Sequence, residues 1–322
     1  MTTTAEIYAP IQDGLAKFEE HLRKAAEGSN VSLEGCLEHI LHSTGKRVRP
    51  AVTLLASKFA GKHDESLPIL MASAIELLHI ATLIHDDAVD KSDTRRGQAT
   101  ISSLFGQDIA MLVGDYVFAK SATVVCDTKN VRVIRTFAET IMALATGELR
   151  EIWEANDWEQ TRQKYFTRIF DKTGSLFCTA AECGALLSDA PETTVQAMKT
   201  YGYNVGMAFQ IVDDIIDYEG DPAEVGKPIG GDLIKGTFTL PAMIALERFD
   251  SKSTLKNLMD AKDEPSLKKA VEYIRSTEAI QASYVVAREF QKKALDALAP
   301  FPYIPAKRSL KGIAEYVLER RK

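Results

Sequence analysis

The sequence predicts an all-α, single-domain bundle of about ten or more helices around a central cavity. Apolar residues recur at three- and four-residue spacing almost throughout, and no stretch alternates as a strand longer than a few residues would. Breakers then divide the chain into long helical intervals. They fall at Gly28-Ser29-Asn30, Gly45, Gly61 to Asp64, Arg96-Gly97-Gln98, Asp127 to Asn130, Asp189 to Pro191, Gly220 to Pro222, Gly226 to Gly236 and Pro300 to Pro305. A chain of 322 residues, 45% hydrophobic, can bury one large domain or two small ones. One composition persists along it, with no repeat of fixed period. The expected layout is an N-terminal helical segment at 1–30, a core at about 45–242 and C-terminal helices at 243–322.

Composition excludes some partners. Lys and Arg number 39 against 45 Asp and Glu, a formal charge of −6 without a long basic run, which argues against nucleic acid. The start, MTTTAEIYAP, lacks the charged and apolar regions of a secretory signal. The apolar stretch Ile69 to Ile84 is broken by Glu76 and His79, so no transmembrane segment is expected and the chain is read as soluble. Cys36, Cys126, Cys178 and Cys183 lack paired zinc spacing and are expected to be small buried residues in a reducing cytoplasm.

In chain order, the first chemical feature is STGKRVRP, Ser43 to Pro50. It sets Lys46, Arg47 and Arg49 at a helix start, with Pro50 in the first turn. Free N–H groups and the macrodipole already favour an anion there. The cluster is either a charged cap or a diphosphate site.

Next comes LLHIATLIHDDAVDKSDTRRG, Leu77 to Gly97. Residues four apart on a helix lie nearly above one another, so Asp86 and Asp90 form a carboxylate comb. His79, seven residues earlier, lies on nearly the same stripe, and Leu78, Ala81 and Thr82 form the neighbouring one. A histidine here is either a satisfied core residue or a ligand. Further on, Glu148 and Glu151 are either partners for cationic groups or solvated carboxylates, and Trp153 and Trp158 read as packing residues. Lys172-Thr173-Gly174 alone would be a surface turn.

The second comb is FQIVDDIIDY, Phe209 to Tyr218, where Gln210, Asp213, Asp214 and Asp217 fall within about 100° of helix surface. Like charges one turn apart repel, so a cation must offset the combs. Mg²⁺ suits them, since it takes one or two carboxylates together with waters and substrate phosphates. Two facing combs would hold several Mg²⁺ ions and a diphosphate.

These paired motifs, each followed by basic residues (Arg95-Arg96-Gly97, then Gly226-Lys227-Pro228), resemble those of trans-type polyprenyl diphosphate synthases. The resemblance runs from about Gly45 to the C-terminal YVLERRK and implies the isoprenoid synthase fold with its active-site cavity. It also implies a Mg²⁺-dependent transferase that joins isopentenyl diphosphate head-to-tail to an allylic diphosphate. It assigns Lys46, Arg49, His79 and Arg96 to isopentenyl diphosphate, and Arg95, Lys172 and Lys227 to the allylic diphosphate. Asp86, Asp90, Asp213 and Asp217 take the metal, as three ions, and Thr173 and Gln210 lie beside the developing allylic cation. A cytoplasmic homodimer is the family expectation, with transient membrane contact for product release. One departure stands out: DLIKGTFTLP carries Thr237 where the family often has lysine, with Lys235 two residues earlier. The basic tail Arg320-Arg321-Lys322 would close over isopentenyl diphosphate.

Short-product relatives carry bulky aromatics four or five residues before the first aspartate, where this chain has Thr82 and Ala81. The expected product is therefore long, hexaprenyl to decaprenyl with octaprenyl central, and Leu78, Ile75 or Met142 forms the tunnel floor. The alternatives are a shorter farnesyl or geranylgeranyl diphosphate synthase, a class I terpene cyclase, or a non-catalytic subunit. Gly45 to Pro50 and the second comb argue against the cyclase, and two intact combs argue against the non-catalytic subunit.

Overall fold

The computed structural model describes residues 4–26, 31–41, 45–61, 64–95, 97–219, 229–248, 252–261 and 263–320. Helices dominate it, as the periodicity predicts, and the strands are a single two-residue hairpin. The chain forms two compact units. The first comprises Met1–Glu139, Leu176–Gly202 and Pro300–Ile313; the second comprises Thr140–Ser175, Tyr203–Ala299 and Ala314–Lys322.

The first unit begins with α1 (Thr4–Tyr8), a 3₁₀ turn carrying Pro10, and α2 (Gln12–Ala26). Then come α3 (Val31–Leu41), α4 (Val48–Ser57) and the long α5 (Ser66–Val89). Ile75, Leu77, Leu78 and Ala81 of α5 are all buried, each contributing to the core on the order of 1–3 kcal/mol by area for the larger side chains. After α5 the hairpin β1 (Thr94–Arg95) and β2 (Gln98–Ala99) turns through Gly97, whose φ of 77° suits glycine. Thr100 then caps α6 (Ile101–Phe105) by accepting from the Ser103 N–H. Helix α7 (Gln107–Cys126) packs along α5 at Gly114, where an added Cβ would lie 2.3 Å from His85 Nε2. That contact lets His85 reach Asp115, at 3.3 Å.

Helix α8 (Val131–Trp153) precedes α9 (Arg162–Ile169), which Thr161 caps. A π-helical turn, Phe170–Gly174, leads into α10 (Ser175–Leu186), and α11 (Glu192–Glu219) carries the second comb. In the second unit Tyr165, Ile211, Val212, Ile215 and Tyr218 are buried in one core with residues of α12 (Gly231–Ile234) and α13 (Leu240–Arg248). The remaining helices are α14 (Lys252–Asp260), α15 (Glu264–Ser276), α16 (Ala279–Leu298) and α17 (Pro305–Glu319).

Two sequence expectations need correction. Cys126 is exposed, unlike the other three cysteines, because it sits at the solvent-facing end of α7. Trp153 is 72% exposed, whereas Trp158 packs on Phe238 with ring centroids 4.7 Å apart. Helices α5 and α7 are long and apolar enough, by length and composition alone, to cross a membrane. Most of α5 is buried within the protein, while α7 leaves an apolar face open.

Candidate active site

Each unit carries one acidic helix with its own basic and polar partners. On α5, Asp86 is half-buried and Asp90, at the helix C-cap, is exposed. Asp87, one residue round the helix, is buried and grips Arg95: Arg95 Nε donates to both carboxylate oxygens, at 2.8 and 2.9 Å. Sequence reasoning placed Arg95 on a diphosphate and gave Asp87 no role. The structure gives Arg95 a carboxylate partner on the comb itself, leaving its side chain 30% exposed.

Arg49, on the first turn of α4, has Nη1 3.2 Å from His79 Nε2 and stacks its guanidinium over Phe177 at 4.5 Å from the ring centroid. These two residues of the expected isopentenyl diphosphate clamp are therefore together, and Lys46 lies exposed just before the helix. Arg96 falls outside the described residues. Leu78 and Ala81 are buried, and Thr82 donates to the His79 carbonyl at 2.7 Å. The apolar void beside α5 is about 10 Å³, room for one water, and is lined by Leu77 and Ile80 rather than by the predicted stripe. Met142, a candidate for the tunnel floor, is 61% exposed.

On α11 the arrangement repeats. Asp213 points outward, its side chain 56% exposed. Asp217 accepts from the N–H groups of Gly231 and Asp232, at 3.1 and 3.2 Å. Asp214 turns inward and is only 2% exposed. Its two oxygens accept from Tyr165 Oη at 2.6 Å and Gln210 Nε2 at 2.7 Å. Gln210 is thereby oriented with Oε1 toward Thr173, whose hydroxyl donates to it at 2.6 Å. The expectation that all four polar residues share one outward face thus fails for Asp214. A helix advances 100° per residue, and here that rotation carries Asp214 into the core. Burial pushes the Asp214 carboxyl up to about 7, against the pull of the Tyr165 and Gln210 hydrogen bonds. Burial, and then the Asp217 charge, also hold Asp232 well above the usual carboxylate range.

Lys172 and Thr173 lie in the π turn, a one-residue bulge of a kind frequent at functional sites. Lys172 Nζ donates to Glu151 at 2.8 Å and to Glu148 at 3.2 Å, which settles those two carboxylates as partners of a cation. Gly147 makes this approach feasible: an added Cβ would sit 2.5 Å from the Lys172 backbone nitrogen. Arg320, just past the end of α17, donates to the Phe209 carbonyl at 2.6 Å and to Asp213 at 3.2 Å. Lys227, Arg321 and Lys322 fall outside the described residues; Thr237 is buried and Lys235 exposed.

The donor set suits a hard divalent cation. Asp86, Asp90, Asp213 and Asp217 offer only oxygens, and Mg²⁺ completes its shell with waters and phosphate. Among the described residues no three His, Cys, Asp or Glu converge on one point.

Carboxylate pairs on α5 and α11, a lysine and threonine in a π turn and a cationic helix start are the kinds of group that chemistry on a prenyl diphosphate calls for. The polyprenyl synthetase family pattern matches residues 30–274. The chain is 35% identical over 314 residues to heptaprenyl diphosphate synthase component 2 of Geobacillus stearothermophilus, covering 98% of each. Its fold matches the crystal structure of heptaprenyl diphosphate synthase from Staphylococcus aureus with a TM-score of 0.93 at 32% identity, covering 97% of this chain and 99% of that one. A decaprenyl diphosphate synthase from Rhodobacter capsulatus matches with a TM-score of 0.91 at 32% identity, covering 99% and 100%. The chain belongs to the polyprenyl synthetase family, and it is a prenyl-transferring enzyme with the all-α fold expected from its sequence.

Proposed function

We propose that this protein is a Mg²⁺-dependent synthase that condenses isopentenyl diphosphate head-to-tail with an allylic diphosphate such as farnesyl diphosphate. The product is a long all-trans polyprenyl diphosphate of 30–50 carbons, with octaprenyl favoured, and diphosphate is released. The hydrogen-bonded run from Tyr165 through Asp214 and Gln210 to Thr173, beside Lys172, carries this reading. It sets the Thr173 and Gln210 oxygens next to Lys172, which on this reading binds phosphate, the pairing that ionisation of an allylic diphosphate requires.

The barrier lies mainly in separating an anionic leaving group from a carbocation. Asp86 and Asp90 on α5, and Asp213 and Asp217 on α11, would hold Mg²⁺, whose charge would neutralise a departing diphosphate. Lys172, Lys227 and Arg95 add fixed positive charge, and such preorganised groups are often the largest catalytic contribution. Thr173 and Gln210 present oxygens to the cation without a competent nucleophile. Lys46, Arg49, His79 and Arg96 hold isopentenyl diphosphate, and Leu78, Ala81 and Thr82 set how far the chain grows.

The exposed stripe Ile109, Leu112 and Tyr116 on α7, with Phe105 on α6, supports a homodimer through a second copy of this face. On this reading the enzyme works in the cytoplasm and touches membrane transiently as its oily product leaves. Similarity to component 2 of the Geobacillus stearothermophilus heptaprenyl diphosphate synthase favours a second reading, in which this chain is one component of a two-component synthase. The test is incubation with Mg²⁺, labelled isopentenyl diphosphate and farnesyl diphosphate, followed by sizing of the dephosphorylated products. A ladder ending near eight isoprene units supports the proposal. Termination at four units overturns the long-chain reading, and no elongation by the protein alone overturns the single-component one.

A further inference from the structure

Between Lys46 and Arg49 stands Arg47, a residue to which the proposed chemistry gives no task. Its backbone is left-handed, φ 50° and ψ 35°, at the cap of α4. For a residue with a Cβ that conformation is strained and persists only where surrounding contacts impose it. Those contacts are present. Arg47 Nη1 donates at 2.6 Å to Glu76, a carboxylate 5% exposed among the apolar residues of α5. Its Nε donates at 3.0 Å to Glu19 of α2, and its guanidinium carbon lies 5.9 Å from the centroid of the fully buried Phe18 ring. One residue earlier, the Lys46 carbonyl accepts from Tyr8 Oη of α1 at 2.6 Å.

We infer that Arg47 is a positioning residue and that, with Glu76, Glu19 and Tyr8, it braces the loop presenting Lys46 and Arg49 to isopentenyl diphosphate. Two helices at the start of the chain therefore serve substrate recognition without touching substrate. The inference rests on the proposed role of Lys46 and Arg49. A lone surface ion pair would contribute little. Here one partner is buried and the backbone is strained, so loss of the brace releases the loop into commoner conformations. The two cations then no longer meet one diphosphate together.

The test is steady-state kinetics of Glu76→Gln and Tyr8→Phe at saturating allylic diphosphate, alongside thermal unfolding. Glu76→Gln keeps the side-chain volume and removes the charge. It should raise KM for isopentenyl diphosphate about 10-fold, the equivalent of one lost charged hydrogen bond. KM for the allylic substrate should stay within twofold. Tyr8→Phe removes one hydroxyl from a partly exposed site, so it tests the brace even if Glu76→Gln fails to fold, and about a threefold rise is expected. A fall in melting temperature with KM for isopentenyl diphosphate unchanged in both variants would make the cluster purely structural and overturn the inference. Should the wild type show no elongation, the proposed function itself fails. Calorimetric titration with isopentenyl diphosphate then decides, and equal affinity in wild type and Tyr8→Phe overturns the brace.

Discussion

Replacing Asp214 by Asn should remove a pH dependence built into the second unit. In the metal-free protein the carboxyl titrates at about 7, against an ordinary value of 3.8 in the unfolded chain. Between those values the unfolded state has released its proton while the folded state still holds it, so stability falls as pH rises. The loss begins near pH 4 and is complete just above pH 7. Moving the ionisation that far corresponds to about 4 kcal/mol. Asn cannot ionise, but it offers one oxygen where Asp offers two, so either Tyr165 Oη or Gln210 Nε2 faces an amide NH₂. That mismatch costs about 1–3 kcal/mol at every pH. The variant should therefore be the less stable protein at pH 4 and the more stable one, or its equal, at pH 8. The assay is denaturant unfolding of both proteins in chelator across that range. Curves that stay parallel within about 1 kcal/mol would refute the assignment of a buried, proton-holding Asp214.

Other expectations follow from neighbouring contacts. Ala81→Phe should shorten the product, read by chromatography of the dephosphorylated ladder, and an unchanged length rejects the assigned stripe. Gly147→Ala should destabilise the fold by about 2 kcal/mol or more through overpacking against the Lys172 backbone, measured by thermal unfolding. Asp213→Ala should lower turnover by at least about 10²-fold, and a chelator should abolish wild-type turnover until Mg²⁺ is restored. Leu112→Asp should convert a dimer to a monomer in analytical ultracentrifugation; a dimer that survives it moves the interface off α7.

The fold class was legible because 3.6-residue periodicity is a whole-chain signal. The outer aspartates were legible because four-residue spacing on a helix is geometry the sequence carries unaided. What the sequence concealed depended on partners far along the chain. Nothing in HDDAVD says that Arg95 will fold back onto Asp87, and nothing in FQIVDDIID announces Tyr165, 49 residues earlier, beneath Asp214. Glu148 and Glu151 stayed ambiguous for the same reason, since the lysine that claims them is more than 20 residues away. Arg47 was hidden differently. Read as one of three cations, it looked like part of the anion site, whereas its backbone angle and its buried glutamate give it the opposite orientation.

If the outer aspartates take the metal as proposed, the doubled aspartate in each motif divides two tasks across one peptide bond. Because a helix turns 100° per residue, adjacent carboxylates cannot serve one ion equally, and here the second is committed to architecture. For design, the smallest functional version of such a motif is a pair of carboxylates at i and i+4. Position i+1 then asks only for a group that accepts two hydrogen bonds from the neighbouring elements. Such a split would let the ligand pair be retuned for another cation while the residue between them keeps the scaffold in register.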